Sequence, residues 1–198
     1  MDSKIFICGF DEAGRGPLAG PVTAGAVILP EDFPIEILND SKKLSPKKRA
    51  EAEKVIKEKA LWGIGIVDHK KIDEINILKS SLLAMKIAYE ELLKKLPDFF
   101  EKRGIKSEDI IIEGITDGTF CPDVKIKCRA EPKADAKYPA VMAASIIAKE
   151  ERDRIMTEYD ALYPEYGYKK HKGYPTPAHK KICRELGPSP IQRLTFKY

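Results

Sequence analysis

The chain lacks any run of 18 apolar residues, so no transmembrane helix is expected. Its first residues, MDSKIFICGFDE, reach acids too early for a signal peptide. Cysteine is sparse: Cys8, Cys121, Cys128 and Cys183 show no paired metal-ligand spacing, and they read as reduced thiols of a cytoplasmic protein. Side-chain amides are scarcer still, with Asn only at positions 39 and 76 and Gln only at 192. There is no internal repeat and no low-complexity tract. What is abundant is charge, at 33% of 198 residues and rich in Lys and Glu, a pattern found in heat-adapted proteins. The net charge of +4 implies little by itself. The basic residues gather in SKKLSPKKR (41–49), KIKCR (125–129) and YKKHKGYPTPAHKK (168–181).

A hydrophobic content of 43% over this length suffices for one compact α/β domain. Residues 4–10 and 22–29 read as strands joined by the Gly/Pro-rich AGRGPLAGP. Ser45-Pro46 is a helix start, and the helix runs over 46–60. LWGIGIVD (61–68) reads as a third strand. Apolar spacing predicts one amphipathic helix over about 70–96. DIIIEGITDG (109–118) and VKIKCRAE (124–131) read as further strands, and helices follow over 136–163, starting near Pro139, and 175–186. Short links early and helices later predict an α/β fold with a mixed sheet flanked by helices. The expected organisation is a core over 1–135 and a helical C-terminal part over 136–198 carrying a basic loop, as one compact unit.

The stretch GFDEAGRGP (9–17) places Asp11 and Glu12 at the end of an apolar strand. Neighbouring acids are usually solvated. In a strand, however, adjacent side chains face opposite sides, so one of this pair points at covering helices unless a cation meets it. Asp117 ends a second apolar strand, where ligand sites of α/β sheets gather; Glu113, four residues earlier, shares its face and competes with it. Asp135 precedes the long helix, where an ordinary N-terminal cap explains it equally well. Asp153 is its competitor, explained by an ion pair with Arg152 or Arg154. Acids converging without His or Cys suit Mg²⁺ or Mn²⁺. Two such ions, roughly 4 Å apart, support in-line attack of water on phosphorus.

Six stretches now carry a likeness: GFDEAGRGPLAGPV (9–22), NDSKKLS (39–45), DEINIL (73–78), TDGTFCP (116–122), KADAKYPAVMAASIIAKEERDR (133–154) and HKGYPTPAH (171–179). In order and over nearly the whole chain, they resemble the ribonuclease HII family, the type 2 ribonucleases H. The resemblance implies a ribonuclease H-like fold with a five-stranded mixed sheet. It implies hydrolysis of the RNA strand of RNA–DNA hybrids and cleavage 5′ to single ribonucleotides in duplex DNA. It assigns the metal ligands to Asp11, Glu12, Asp117 and Asp135, over Glu113 and Asp153. It gives Gly14, Arg15 and Gly16 the reading of the ribose 2′-hydroxyl, for which glycine permits close backbone approach. It gives Tyr174 stacking on the following deoxyribose.

Lys42 and Lys43 are candidate phosphate contacts, although a KK pair is commonly just solvated. Asn39 and Ser41 could add neutral donors. His171 and Lys172 flank Tyr174. Ser145 and Lys149 share one helical face and complete the substrate-binding candidates. His69 and His179 show no evident partner and read as structural or surface residues. The leading expectation is therefore a monomeric, metal-dependent endoribonuclease leaving 3′-hydroxyl and 5′-phosphate ends. A DNA-cutting nuclease of the same fold and a non-catalytic hybrid-binding module compete with it. The first would not need the Gly-Arg-Gly turn, and the second would not need a full acid set.

Overall fold

The computed structural model describes residues 4–197. Its strands are β1 (Lys4–Ala13), β2 (Val22–Ile28), β3 (Leu61–Val67), β4 (Ile110–Asp117) and β5 (Lys127–Glu131). Its helices are α1 (Pro46–Lys59), α2 (His69–Ile75), α3 (Ile77–Glu101), α4 (Pro139–Leu162), α5 (Tyr168–His171) and α6 (Pro177–Leu186). The strands form one mixed sheet in the order β3-β2-β1-β4-β5. Neighbours β3, β2 and β1 run antiparallel, while β1, β4 and β5 run parallel. The acid-bearing strand β1 is thus the central one.

Both faces of the sheet are covered. Phe6, Cys8 and Phe10 of β1 pack with Ala24, Ala26 and Ile28 of β2 against Ala84, Met85, Ala88 and Leu92 of α3. On the opposite face Val27 packs with Ala143, Ala144, Ile146 and Ile147 of α4 and Ala52 and Ile56 of α1. All seven residues of β2 are buried, so it reads as a continuous apolar run, as expected of a strand covered twice. The α4 backbone lies very close to β1: a Cβ on Gly9 would sit 2.2 Å from the Ala140 carbonyl carbon. Only glycine allows that approach, and it brings the α4 side chains to the level of Asp11.

Helix starts follow local chemistry. The Ser45 hydroxyl accepts from Lys48 N at 3.3 Å ahead of Pro46, and the Thr176 hydroxyl accepts from His179 N at 3.2 Å ahead of Pro177. The single helix expected over 70–96 is two helices. Asn76 adopts φ 69°, breaks the run, and caps α3 by accepting from Lys79 N at 3.1 Å. With ψ at 164° this backbone lies outside the αL well, in a region few residues other than glycine adopt, and the cap onto Lys79 N helps to hold it. Helix α3 then continues past Pro97 to Glu101.

Candidate active site

Asp11 and Asp117 meet because of strand register. The parallel ladder pairs Gly9 with Ile115 and Phe10 with Thr116. One further step sets Asp11 beside Asp117, at the C-terminal ends of adjacent strands and on the α4 face. Glu12, the next residue, turns to the α3 face by the period of the strand. Asp135 arrives from the turn Ala134–Ala136, which is fastened to β4 by a hydrogen bond from Ala134 N to Asp117 Oδ1 at 2.8 Å. Oxygens of Asp11, Asp117 and Asp135 lie within 4.8 Å of one another. Asp11 is 5% exposed and Asp135 7%. Glu12 is outside this three-way group; its Oε1 accepts from Arg15 NH1 at a long 3.4 Å. The competing acids are engaged elsewhere: Glu113 pairs with Lys127 at 3.1 Å, and Asp153 pairs with Lys149 at 2.5 Å and with Arg49 at 3.6 Å.

The cluster is electrostatically unfavourable as it stands. Burial, reinforced by the charges of Glu12 and Asp117, pushes the Asp11 carboxyl well above the usual carboxylate range, against hydrogen bonds from Glu12 N and Ser145. Burial also raises Glu12, with Arg15 opposing, and raises Asp135, with Asp117 and Asp40 adding to the shift. Lys42 faces this group: burial opposes its charge, but Asp11, Asp40, Asp135 and Asp117 prevail and raise its pKa. An all-oxygen set with repulsion to relieve fits a hard divalent cation.

A stability prediction follows. A carboxyl whose pKa is raised by folding stabilises the fold while protonated and loses that contribution as pH climbs through its folded pKa. The melting temperature of the metal-free protein should therefore fall as pH rises above the ordinary carboxylate range. Asp73, whose pKa is lowered by hydrogen bonds from Thr195 and Leu194 despite some burial, has the opposite sign and loses its contribution only at lower pH. Added Mn²⁺ should raise the melting temperature more at pH 8 than at pH 5, measured by calorimetry with and without chelator.

The Gly-Arg-Gly turn and Tyr174 are adjacent. A Cβ on Gly16 would lie 3.8 Å from Tyr174 Cε1, and Tyr174 is 39% exposed. Lys42, Lys43 and Asn39 are also exposed. Other candidates turn inward. Ser41 is buried, and its hydroxyl lies 2.7 Å from that of Ser145, which in turn bonds Asp11. Lys149 is held by Asp153. Lys172 Nζ donates to Asp153 O and to Thr157 Oγ1. His171 stacks on buried His179 at 4.3 Å and accepts from Gly173 N, while His179 Nδ1 meets the Tyr174 carbonyl at 3.0 Å. The two histidines thus brace the Tyr174 loop from below.

Three buried arginines lie near the site: Arg49, Arg152 and Arg193. Asp153, expected to pair with Arg152 or Arg154, pairs with Lys149 and Arg49 instead, and Arg152 donates to backbone carbonyls. One signal pointed to the burial of Arg152. It stands four residues from Ala148 and from Met156, on the buried stripe of α4. Arg193 lies outside any helix or strand and carries no such signal.

A sheet of this order, with carboxylates gathered at the ends of adjacent parallel strands, defines a ribonuclease H-like nuclease. The chain belongs to the ribonuclease HII family, whose model it matches over residues 8–198. It is 52% identical over 196 residues to ribonuclease HII of Treponema denticola, covering 96% of this chain and 97% of that one. It superposes on ribonuclease H2 of Pyrococcus horikoshii with a TM-score of 0.68 at 28% identity, covering 97% and 94% of the two chains. It superposes equally, at 0.68 and 26% identity, on ribonuclease HII of Archaeoglobus fulgidus in that protein's complex with PCNA, covering 98% and 96%. It is accordingly an endoribonuclease of the type 2 ribonuclease H class.

Proposed function

We propose that this endoribonuclease, acting as a cytoplasmic monomer, hydrolyses the RNA strand of RNA–DNA hybrids and cuts 5′ to a single ribonucleotide in duplex DNA, leaving 3′-hydroxyl and 5′-phosphate ends. The observation that carries this reading is the contiguity of two things: three carboxylates within 4.8 Å, and a Gly-Arg-Gly turn so placed that a side chain added at Gly16 would touch the Tyr174 ring. Asp11, Asp117 and Asp135, with Glu12 beside them, would hold two Mg²⁺ or Mn²⁺ ions. Bound there, the cations supply stabilisation of negative charge at the scissile phosphate and lower the pKa of water. Ser145 holds Asp11 at its orientation. Lys42 and Lys43 offer positive charge to the phosphate backbone at the rim of the cluster.

Selectivity resides in the turn and the tyrosine. The Gly14–Gly16 backbone meets the ribose 2′-hydroxyl, and the Tyr174 ring packs on the next sugar, where a second 2′-hydroxyl would crowd it. Tyr174→Ala should lower kcat/KM on a singly substituted duplex by about tenfold, the scale of one lost stacking contact, and lower it less on a long hybrid. Equal losses on the two substrates would count against the stacking role.

The deciding experiment is a gel assay on three duplexes: one with a single embedded ribonucleotide, one RNA–DNA hybrid, and one all-DNA. Each is incubated with Mg²⁺, Mn²⁺ or chelator. Cleavage of the first two only, and only with metal, is the expected result. Cutting of the all-DNA duplex, or binding without any product, would defeat the reading.

A further inference from the structure

Two guanidinium groups are buried directly beneath the Gly-Arg-Gly turn, Arg152 at 1% exposure and Arg193 at 0%. Among the described residues, neither is held by an acid. Asp153 is committed to Lys149 and Arg49, and Asp73 accepts from Leu194 N, Thr195 N and Thr195 Oγ1. Both arginines instead donate to backbone carbonyls. Arg193 bonds Gly14 O at 2.7 Å, Arg15 O at 3.1 Å, Gly20 O at 2.9 Å and Pro21 O at 3.0 Å. Arg152 bonds Pro21 O at 3.0 Å, Ala19 O at 3.2 Å and Lys172 O at 2.9 Å. Burying a cation without a counter-ion costs several kcal/mol, and the fold sustains two that share one carbonyl.

The cost has a stereochemical return. Every described peptide is trans, so each C=O points opposite to the N–H of the following residue. With the Gly14 and Arg15 carbonyls turned down onto Arg193, the amides of Arg15 and Gly16 must point up, and both residues are exposed. Arg152 ties the same turn to the next loop through Lys172 O, two residues before Tyr174, and its guanidinium carbon lies 5.7 Å from the Tyr174 ring centre. Arg152 also fills the space a side chain on Gly14 would need, at a position with φ 102°. Asp73, from the DEINIL stretch, anchors residues 194–195 and so the segment that presents Arg193.

We propose that Arg193 and Arg152 are positioning residues for ribose recognition, fixing the Arg15 and Gly16 amides toward the sugar and setting the spacing between that turn and Tyr174. The inference rests on the sugar-reading role given to the turn above.

The test measures equilibrium binding, in Ca²⁺ without cleavage, of a duplex with one ribonucleotide and of the same duplex in all-DNA form. The ratio of the two affinities reports ribose discrimination apart from chemistry. Arg193→Lys keeps the charge but cannot reach four carbonyls. It should lower the ratio by about tenfold, the scale of one or two charge-assisted hydrogen bonds, while Mn²⁺ affinity at the acid cluster and all-DNA affinity stay near wild type. Arg152→Lys should lower the ratio in the same direction. A folded Arg193→Lys protein that keeps the wild-type ratio overturns the proposal alone. A wild-type protein with no ribose preference overturns the reading of the turn, and this proposal with it. If the arginine variants do not fold, Asp73→Asn, at a partly exposed position, decides: a ratio lowered about threefold supports the proposal, and an unchanged ratio refutes it.

Discussion

Asp11→Asn is expected to make the metal-free protein more stable and to leave it nearly inactive. The two effects share one cause. Asp11 is buried, and Glu12 and Asp117 crowd its charge, so desolvation and repulsion disfavour the charged form. An amide of the same shape removes the charge but retains the carbonyl oxygen that accepts from Glu12 N at 2.7 Å and the partner for Ser145. The gain should be on the order of 2 kcal/mol, or about 4–8 °C for a domain of this size, in calorimetry with chelator present. The same oxygen is a weaker ligand for a divalent cation once the carboxylate charge is gone. Loss of metal charge stabilisation at the phosphate should lower kcat by roughly a thousandfold or more. The stabilising effect of Mn²⁺ should shrink along with activity. A variant that melts lower than wild type without metal would show that the cluster is not under electrostatic strain, and full activity would remove Asp11 from the ligand set.

The sequence made the strands of the sheet legible because each is a short apolar run bounded by Gly, Pro or a charged turn. Their ends were less so: β1 extends three residues beyond the expected stop because Asp11, Glu12 and Ala13 pair with Gly25, Ala24 and Thr23 of β2, a tertiary fact. The break at Asn76 was hidden because Ile72, Ile75, Leu78 and Leu82 keep a helical spacing across it. Asp11 stood out as an acid inside an apolar strand, but the convergence with Asp117 and Asp135 depends on register and on the Ala134 tether, neither of which a local pattern encodes. Lys172 and His171 looked like substrate contacts by charge and neighbourhood. Their inward hydrogen bonds come from how α4 and α5 pack, and composition does not register packing. Arg193 was invisible for the same reason: a lone arginine in an irregular segment carries no period.

Arg49→Met is expected to destabilise the protein by about 3–5 kcal/mol, because it strips the partner from Glu150, held mostly away from water, and one of the two cations from Asp153. The Arg49 side chain is 10% exposed and those of Glu150 and Asp153 are 17% and 18%. Arg49 bonds Glu150 through Nε and stands 3.6 Å from Asp153, joining α1 to α4. At this chain length the melting temperature should fall by roughly 6–20 °C. A second consequence concerns activity. Arg49 NH1 also donates to Ser41 O at 3.1 Å, and the Ser41 hydroxyl meets that of Ser145, which bonds Asp11. Removing the guanidinium frees the Ser41 segment and loosens a relay that ends on a metal ligand. Neutralising the orphaned Glu150 separates the two effects. In Arg49→Met/Glu150→Gln the carboxylate left without a partner is gone while Asp153 keeps Lys149, so much of the lost stability should return. The cleavage rate should not return with it, remaining about tenfold below wild type, because Ser41 is still unheld. Recovery of both together would mean that Arg49 serves only the helix interface and that Asp11 is oriented by Ser145 without help from α1.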